Sequence, residues 1–507
     1  MKHLFWEKHR VLALLLCLLL LSSVFASCAD RNDPDARETT AETDTDSVDV
    51  DVNGNARVSS GNEGFHYGDR TFTIFNGGNW DTKDYYVDPE NYDKTNNVST
   101  AVVTRNGRLS DQYGIEIAEI LNNDQNSSDY SIAINSINAG DNQFDAISIC
   151  CYDAVKLALD GYIYDLNDFD TIHTDREWWD QEMVRQCSLD GHLFWLQGDA
   201  TTTDNDATHA LVFNKKMFAE NSEKLGDKSP YDYVRDGTWT IDTLFRLASC
   251  VGQDKDGNSK YDQDDIYGLA YVQTACYAFL NATGIRFGSV HDSEPLITCD
   301  FMSEKMADVW TKCVNMMQQN WSFNSQYGNP EFNSKQMFMN SQLLFEATYI
   351  LGVQDYRAAA ADFEFGILPY PKFDETQKEY ISPFHSYGTP FLSIPISTKE
   401  PEKAAAVLDL LAYESMYTVT PAYYNITLEG KTARDNESLE MLNIIFTTKS
   451  YDFGFVCAWA NWPTTLMRLW NNKTDSIVSR FEASRRAVEK AIDNQLTAYS
   501  DYENRMQ

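Results

Sequence analysis

Short apolar runs, each closed by a turn and followed by a stretch of helical spacing, recur along this chain from residue 71 to residue 396. That alternation is the strongest constraint on what it can fold into. Residues 71–75 (TFTIF) alternate and are β-branched, as in a strand. Residues 101–113 (AVVTRNGRLSDQY) have helical spacing, and an extended piece begins at 114–117. Residues 144–149 (FDAISI) form a short apolar run bounded by polar residues, which suits a buried parallel strand. A helix follows at 153–159, then the segments 161–166, 191–196 and 210–215. Thr240 is placed to cap a helix, with Asp242 in its first turn where the helix dipole favours it. Strands are expected again at 343–349, 365–369 and 391–396, and amphipathic helices at 403–413 and 476–497. Strands alternating with helices predict an α/β architecture. The folded part exceeds the size at which one core usually divides, so two lobes are expected.

The N-terminus is built differently. Lys2, Lys8 and Arg10 precede an uninterrupted apolar run at 11–21, and small residues lead to Cys28. A positive start, a short apolar stretch and a small-residue exit describe a secretory leader. The run falls short of the roughly 20 apolar residues of a spanning helix. Its end resembles a bacterial lipobox, which makes Cys28 the acylated residue and places the protein on the outer face of a cell membrane, of the Gram-positive type. Residues 29–65 are acidic and polar and bury too little to fold. They are expected to act as an extended tether.

The 507 residues carry a formal net charge of −35, and the leader is itself positive, so the mature chain is more acidic still. Such a surface argues against nucleic acid as a partner and leaves the lipid as the route to the membrane. Eight cysteines lie beyond Cys28 with no CxxC and no histidine at zinc spacing. They are read as small buried hydrophobes, with room for one disulfide of unspecified pairing. No GxSxG, HExxH or phosphate loop is present. Carboxylates are too numerous for any pair of them to identify a glycosidase.

The order of the segments resembles the extracellular solute-binding proteins of bacterial ABC importers, the sugar-binding group that includes maltose-binding protein. The resemblance rests on FDAISI with GYIYDL, on LFWLQGD with ALVFNKKMF, and on GTWTIDTLFRLA. SQLLFEATYI with FEFGILPYPK, and TPFLSIPISTKEPEKAAAVLDLLAY, complete it. It spans residues 70–500; the segment 423–470 is longer and more aromatic than in the smaller relatives. It implies a type II periplasmic-binding-protein-like fold, hinged, with crossings between the lobes. Boundaries are expected at 1–27 (leader), 28–65 (lipidated cysteine and tether), 66–200 plus 343–392 (first lobe) and 207–340 plus 397–507 (second lobe). It also implies a monomer that captures a mono- or oligosaccharide and hands it to a permease, without catalysis. A secreted carbohydrate-active enzyme and a ligand-binding lipoprotein serving a sensor are the alternatives.

Sugars offer C–H faces to aromatic rings and hydroxyls to carboxylates, amides and imidazoles. Loops and crossings of the fold then nominate Asn79 and Trp80 after the first strand, Tyr152 after FDAISI, and Asp199 at the first crossing. Glu346 and Tyr349 are placed at a return crossing, His385 and Tyr387 before the last, and Trp459 and Trp462 in the CAWANWP loop. No cofactor is required. Residues 254–265 resemble an EF-hand loop, with Asp254, Asp256, Asn258, Asp262, Asp265 and the carbonyl of Lys260 as ligands of a structural calcium ion. Ser259 stands where glycine is usual, and Asp265 where glutamate is.

Overall fold

The computed structural model describes residues 56–77, 85–122, 128–325, 332–359, 363–424 and 435–506. Cys28, the expected leader and most of the expected tether therefore lie outside the described residues. Among the described residues, nine strands build the two larger sheets: β1 Arg70–Asn76, β2 Ile115–Leu121, β3 Ala146–Cys150, β4 His209–Asn214, β5 Tyr267–Tyr271, β6 Ser322–Asn324, β7 Leu343–Tyr349, β8 Phe365–Leu368 and β9 Pro390–Ser393. The first sheet has the order β9-β3-β1-β2, with β1 parallel to β2 and β3, and β9 antiparallel to β3. The second has the order β8-β4-β7-β5-β6, with β5, β6 and β7 parallel and β4 antiparallel to both its neighbours, β7 and β8. Every residue of β3 is buried, as suits a strand covered on both faces by helices.

Helices follow the strands of the first sheet with recognisable start and stop chemistry. Helix α1 (Asn97–Tyr113) is capped by Asn96, whose side chain accepts from Ser99 N, and ends at Gly114 in the left-handed region. Helix α2 (Asp129–Ala139) is capped by Ser128 and ends at left-handed Gly140. Helix α3 (Cys151–Leu159) leaves β3 directly, and α4 (Gln181–Cys187) is capped by Asp180, which accepts from Glu182 N and Met183 N. In the second lobe α5 (Ile241–Ser249) starts at Thr240 as expected, with Thr243 N donating to its hydroxyl. Helices α6 (Ala275–Ala282) and α7 (Ile350–Ala359) follow β5 and β7. No helix among the described residues is long and apolar enough to cross a membrane.

The strand pairing corrects the expected lobe boundaries. Residues 343–392 were assigned to the first lobe, but β7 and β8 both pair with β4 in the second sheet, and of that span only the start of β9 belongs to the first. The chain therefore does not cross between sheets at 343–368; it crosses at 197–208 and again at 384–389. Helix α8 (Pro401–Met416), expected in the second lobe, packs on α1, and Arg105 of α1 donates to the Ser415 hydroxyl at 3.1 Å.

The segment expected to be an extended tether reaches into the described residues. Residues 56–65 are folded onto α8. Arg57 pairs with Glu414 at 2.9 Å, both side chains essentially inaccessible, and its guanidinium stacks between the rings of Tyr413 and Tyr417. Asn62 reaches Asp409 at the centre of α8. Asp409 is fully buried and also accepts from the indoles of Trp178 and Trp179 and from the amide of His173, with the His173 ring 2.6 Å away. The local acidity of the segment hides this, because two side chains rather than a periodic apolar face fasten it. Further C-terminal helices include α9 (Val419–Tyr424), α10 (Trp462–Asn471) and α11 (Ile477–Ser500).

All eight cysteines of the folded part are free thiols. Five are buried, and Cys250, Cys299 and Cys457 are half-buried.

Candidate functional site

The parallel strands of both sheets end on one zone, where the two crossings run side by side. From the first sheet, β1 leads to Gly77. A Cβ there would sit 2.3 Å from a carboxylate oxygen of Asp129, so only glycine lets the strand exit pass this acid. Asp129 opens α2 and accepts from the Asn122 amide at 2.7 Å. Burial pushes its carboxyl up to about 6, with the Asn122 bond pulling down and Asp153 adding to the rise. Asp153, in the first turn of α3, accepts from Tyr130 N and is also raised by burial. Tyr387 stands beside both acids with its side chain exposed. Tyr152, next to Asp153, is held by the Ser386 side chain, and the Cys151 thiol donates to the Ser386 carbonyl at 2.8 Å.

From the second sheet, Tyr349 at the end of β7 shares a hydrogen bond with Thr274, which precedes α6. Its ring packs on His209 (centroids 4.7 Å apart) and His385 (5.0 Å). Tyr277 of α6 lies against both imidazoles, and burial, with the Tyr349 and Tyr152 phenols nearby, pushes its hydroxyl well up. The zone thus joins carboxylates and tyrosines of the first lobe to hydroxyls, tyrosines and histidines of the second. The Cys151 thiol is pushed well up by burial, which disfavours a nucleophilic thiolate.

Of the residues expected at a site, the structure brings together Tyr152, Tyr349, His385 and Tyr387. Asn79 and Trp80 lie outside the described residues. Asp199 lies on the first crossing, accepts from the Thr420 hydroxyl at 2.8 Å, and is pushed up to about 7 by burial. Three expectations fail. Trp462 is a core residue: it is 1 % exposed, packs on Phe287, Phe301 and Phe481, and donates to Ser484. Trp459 is likewise buried against Phe287 and Phe453, in a space cleared by Gly288 and Gly454. Glu346 points to the opposite face of β7 from Tyr349, where it accepts from the Tyr356 hydroxyl of α7.

Burial lifts the Glu346 carboxyl from 4.5 to about 7. Because the unfolded chain ionises first, this group costs stability progressively as pH rises from 4.5 through 7, by about 3 kcal/mol at most. Glu346→Gln is expected to be the more stable protein at pH 8 and to lose that advantage at pH 4.5, as read by urea unfolding at both values.

Asp129, Asp153, Thr274, Tyr277 and His209 were not anticipated. The signal for the two acids was present: each lies in the first turn of a helix just beyond a strand of a parallel sheet, where ligands of α/β proteins gather.

Behind this zone the first crossing carries a polar cluster. Lys449 reaches Asp204 at 2.7 Å and Asp180 at 2.9 Å. The two acids respond oppositely. Asp180 is held low, because Lys449, two backbone N–H groups and the Tyr451 hydroxyl outweigh its burial. The deeper Asp204 stays raised, because burial outweighs the same lysine. Asp206 accepts from Tyr423 of α9 and from Gln354 of α7.

In the 254–265 loop the oxygens of Asp254, Asp256 and Asp265 lie within 4.8 Å of one another. Ser259 adopts the left-handed conformation (φ 62°) that the glycine of such loops supplies. Asn258 donates its side-chain amide to Asp256, and Asp262 accepts from the Asp264 backbone amide.

No family model and no curated protein matches the chain. Solved structures do. A cyclo/maltodextrin-binding protein complexed with maltotetraose aligns over 84 % of this chain and 96 % of its own, at 13 % identity and a TM-score of 0.53. The galacto-N-biose-/lacto-N-biose I-binding protein of an ABC transporter from Bifidobacterium longum, in complex with lacto-N-biose, aligns over 82 % of this chain and 97 % of its own, at 10 % identity and a TM-score of 0.51. The chain has the fold of these transporter-type solute-binding proteins, α/β and of type II.

Proposed function

We propose that this protein is the substrate-binding lipoprotein of an ABC importer, anchored through Cys28 outside the cell membrane. It captures a mono- or oligosaccharide between its lobes as a monomer, delivers it to a permease and performs no covalent chemistry. The observation that carries this reading is the convergence of Tyr152, Asp129 and Asp153 from one lobe and Tyr387 from the second crossing with Thr274, Tyr277 and Tyr349 from the other lobe. Flat rings and hydroxyl-pairing groups at the meeting of two lobes suit a polyhydroxylated solute. The two neighbouring structures were solved with saccharides bound, which agrees with it.

A thermal-shift screen of mono- and oligosaccharides against peptides tests it. A matching sugar at a hundred times its Kd is expected to stabilise the fold by about 2.7 kcal/mol. Tyr349→Ala is expected to weaken that sugar about tenfold. A shift with peptides and none with sugars overturns the reading.

We also propose calcium in the 254–265 loop, where Asp254, Asp256, Asp262 and Asp265 supply carboxylates, Asn258 its side-chain oxygen and Lys260 its carbonyl. Hard oxygen donors around a tight turn suit that ion. Calcium is expected to raise the melting temperature of the protein but not of Asp265→Ala, and a chelator to reverse the rise.

A further inference from the structure

Two imidazoles meet where the crossings adjoin. Thr208 and Phe384 form an antiparallel bridge, and the His385 amide donates to the Ala207 carbonyl at 2.9 Å. The rings of His209 and His385 lie within 22° of parallel with centroids 6.0 Å apart. His209 is fully buried, and His385 is 8 % exposed. The titratable groups facing His209 are Tyr277 from α6, Tyr349 from β7, Tyr370 after β8, and His385 itself. Tyr277 and Tyr349 face His385 as well.

The hydrogen bonding specifies neutral rings. Nδ1 of His385 accepts the Gly388 amide at 2.8 Å, so its proton sits on Nε2. A second proton, on Nδ1, would set donor against donor. Neither ring nitrogen of His209 has a hydrogen-bond partner among the described residues, and the charge that acts on it is that of His385. Protonating His209 creates a buried cation ringed by phenols, and protonating both rings creates two adjacent like charges. Each penalty is relieved if the crossings part and water enters.

We propose that His209 and His385 form a proton-operated latch: neutral, they let the two crossings pack and the lobes hold together; protonated, they drive the crossings apart and open the lobes. Release of a captured solute on acidification rests on the function proposed above; the opening itself does not. Burial holds the His385 imidazole down from 6.5 to about 4, so the latch responds to acid rather than to neutral pH. If that ring returns to its ordinary range on opening, it alone raises the ratio of open to closed molecules about a hundredfold between pH 7 and pH 4.

The test is small-angle scattering of the ligand-free protein across that range, with far-UV circular dichroism confirming that secondary structure is retained. The radius of gyration is expected to rise towards pH 4 in the wild type. It is expected to stay constant in H209F/H385N, in which a ring is kept at 209 and an acceptor for Gly388 at 385. If that double variant does not fold, histidine ring NMR of the wild type substitutes, with two imidazoles expected to take up protons only as the radius grows. A constant wild-type radius, an equal rise in the double variant, or two rings that titrate without expansion overturns the latch. Because no solute is present, these outcomes are independent of whether the protein binds a sugar.

Discussion

Asp409→Ala is expected to cost about 4 kcal/mol or more, and to abolish soluble expression if the starting stability is ordinary. Two indole N–H groups, the Asn62 amide and the His173 backbone amide lose their acceptor in a site that water does not reach. A buried donor left unsatisfied costs about 1–3 kcal/mol. Asp409→Asn should be much milder. Its remaining oxygen can keep the three donors that Asp409 Oδ1 now receives: both indoles and the His173 amide. Chemical unfolding that finds Asn as damaging as Ala would refute the acceptor account and point to the charge.

Lys449→Met is expected to lose about 3–5 kcal/mol, the usual cost of removing one partner from a buried ion pair. The ammonium stands between Asp180, which caps α4 in the first lobe, and Asp204 on the first crossing, and it lies on a two-residue strand paired to Ser382 near the last crossing. Without it two carboxylates share a buried space with no cation between them. Lys449→Met combined with Asp204→Asn should recover much of the loss, because Asp180 keeps its helix N–H groups and Tyr451. Unfolding energies of the singles and the double that simply add would show that the lysine does not act through Asp204.

Local periodicity was enough to find most strands and helices. Residues 71–75 became β1, 343–349 became β7 to the residue, and the α/β class followed. What local pattern could not supply was partnership. β7 pairs with β4, over a hundred residues earlier, and nothing inside SQLLFEATYI states that. The two tryptophans of CAWANWP are expected at the site because they stand in an aromatic loop. Their burial depends on Phe287, Gly288 and Phe481, which are distant in sequence. Glu346 is a different kind of miss. A strand alternates with period two, so residues three apart face opposite ways, and Glu346 and Tyr349 could not both have lined one site. His209 escaped because a histidine at the head of an apolar strand carries no local mark of the ring stack it joins.

The position of β9 has a consequence for how the chain becomes a protein. β3, at the centre of the first lobe, is finished on one side by residues 390–393, and the acid that gathers Asn62, His173, Trp178 and Trp179 arrives only at residue 409. The N-terminal third therefore has no complete sheet of its own and must wait, with one apolar edge open, until nearly the whole second lobe has been made. Closing so long a loop costs entropy before any contact rewards it. The second lobe, whose sheet closes within residues 209–368, is the part expected to fold first and to serve as the template on which the first is assembled.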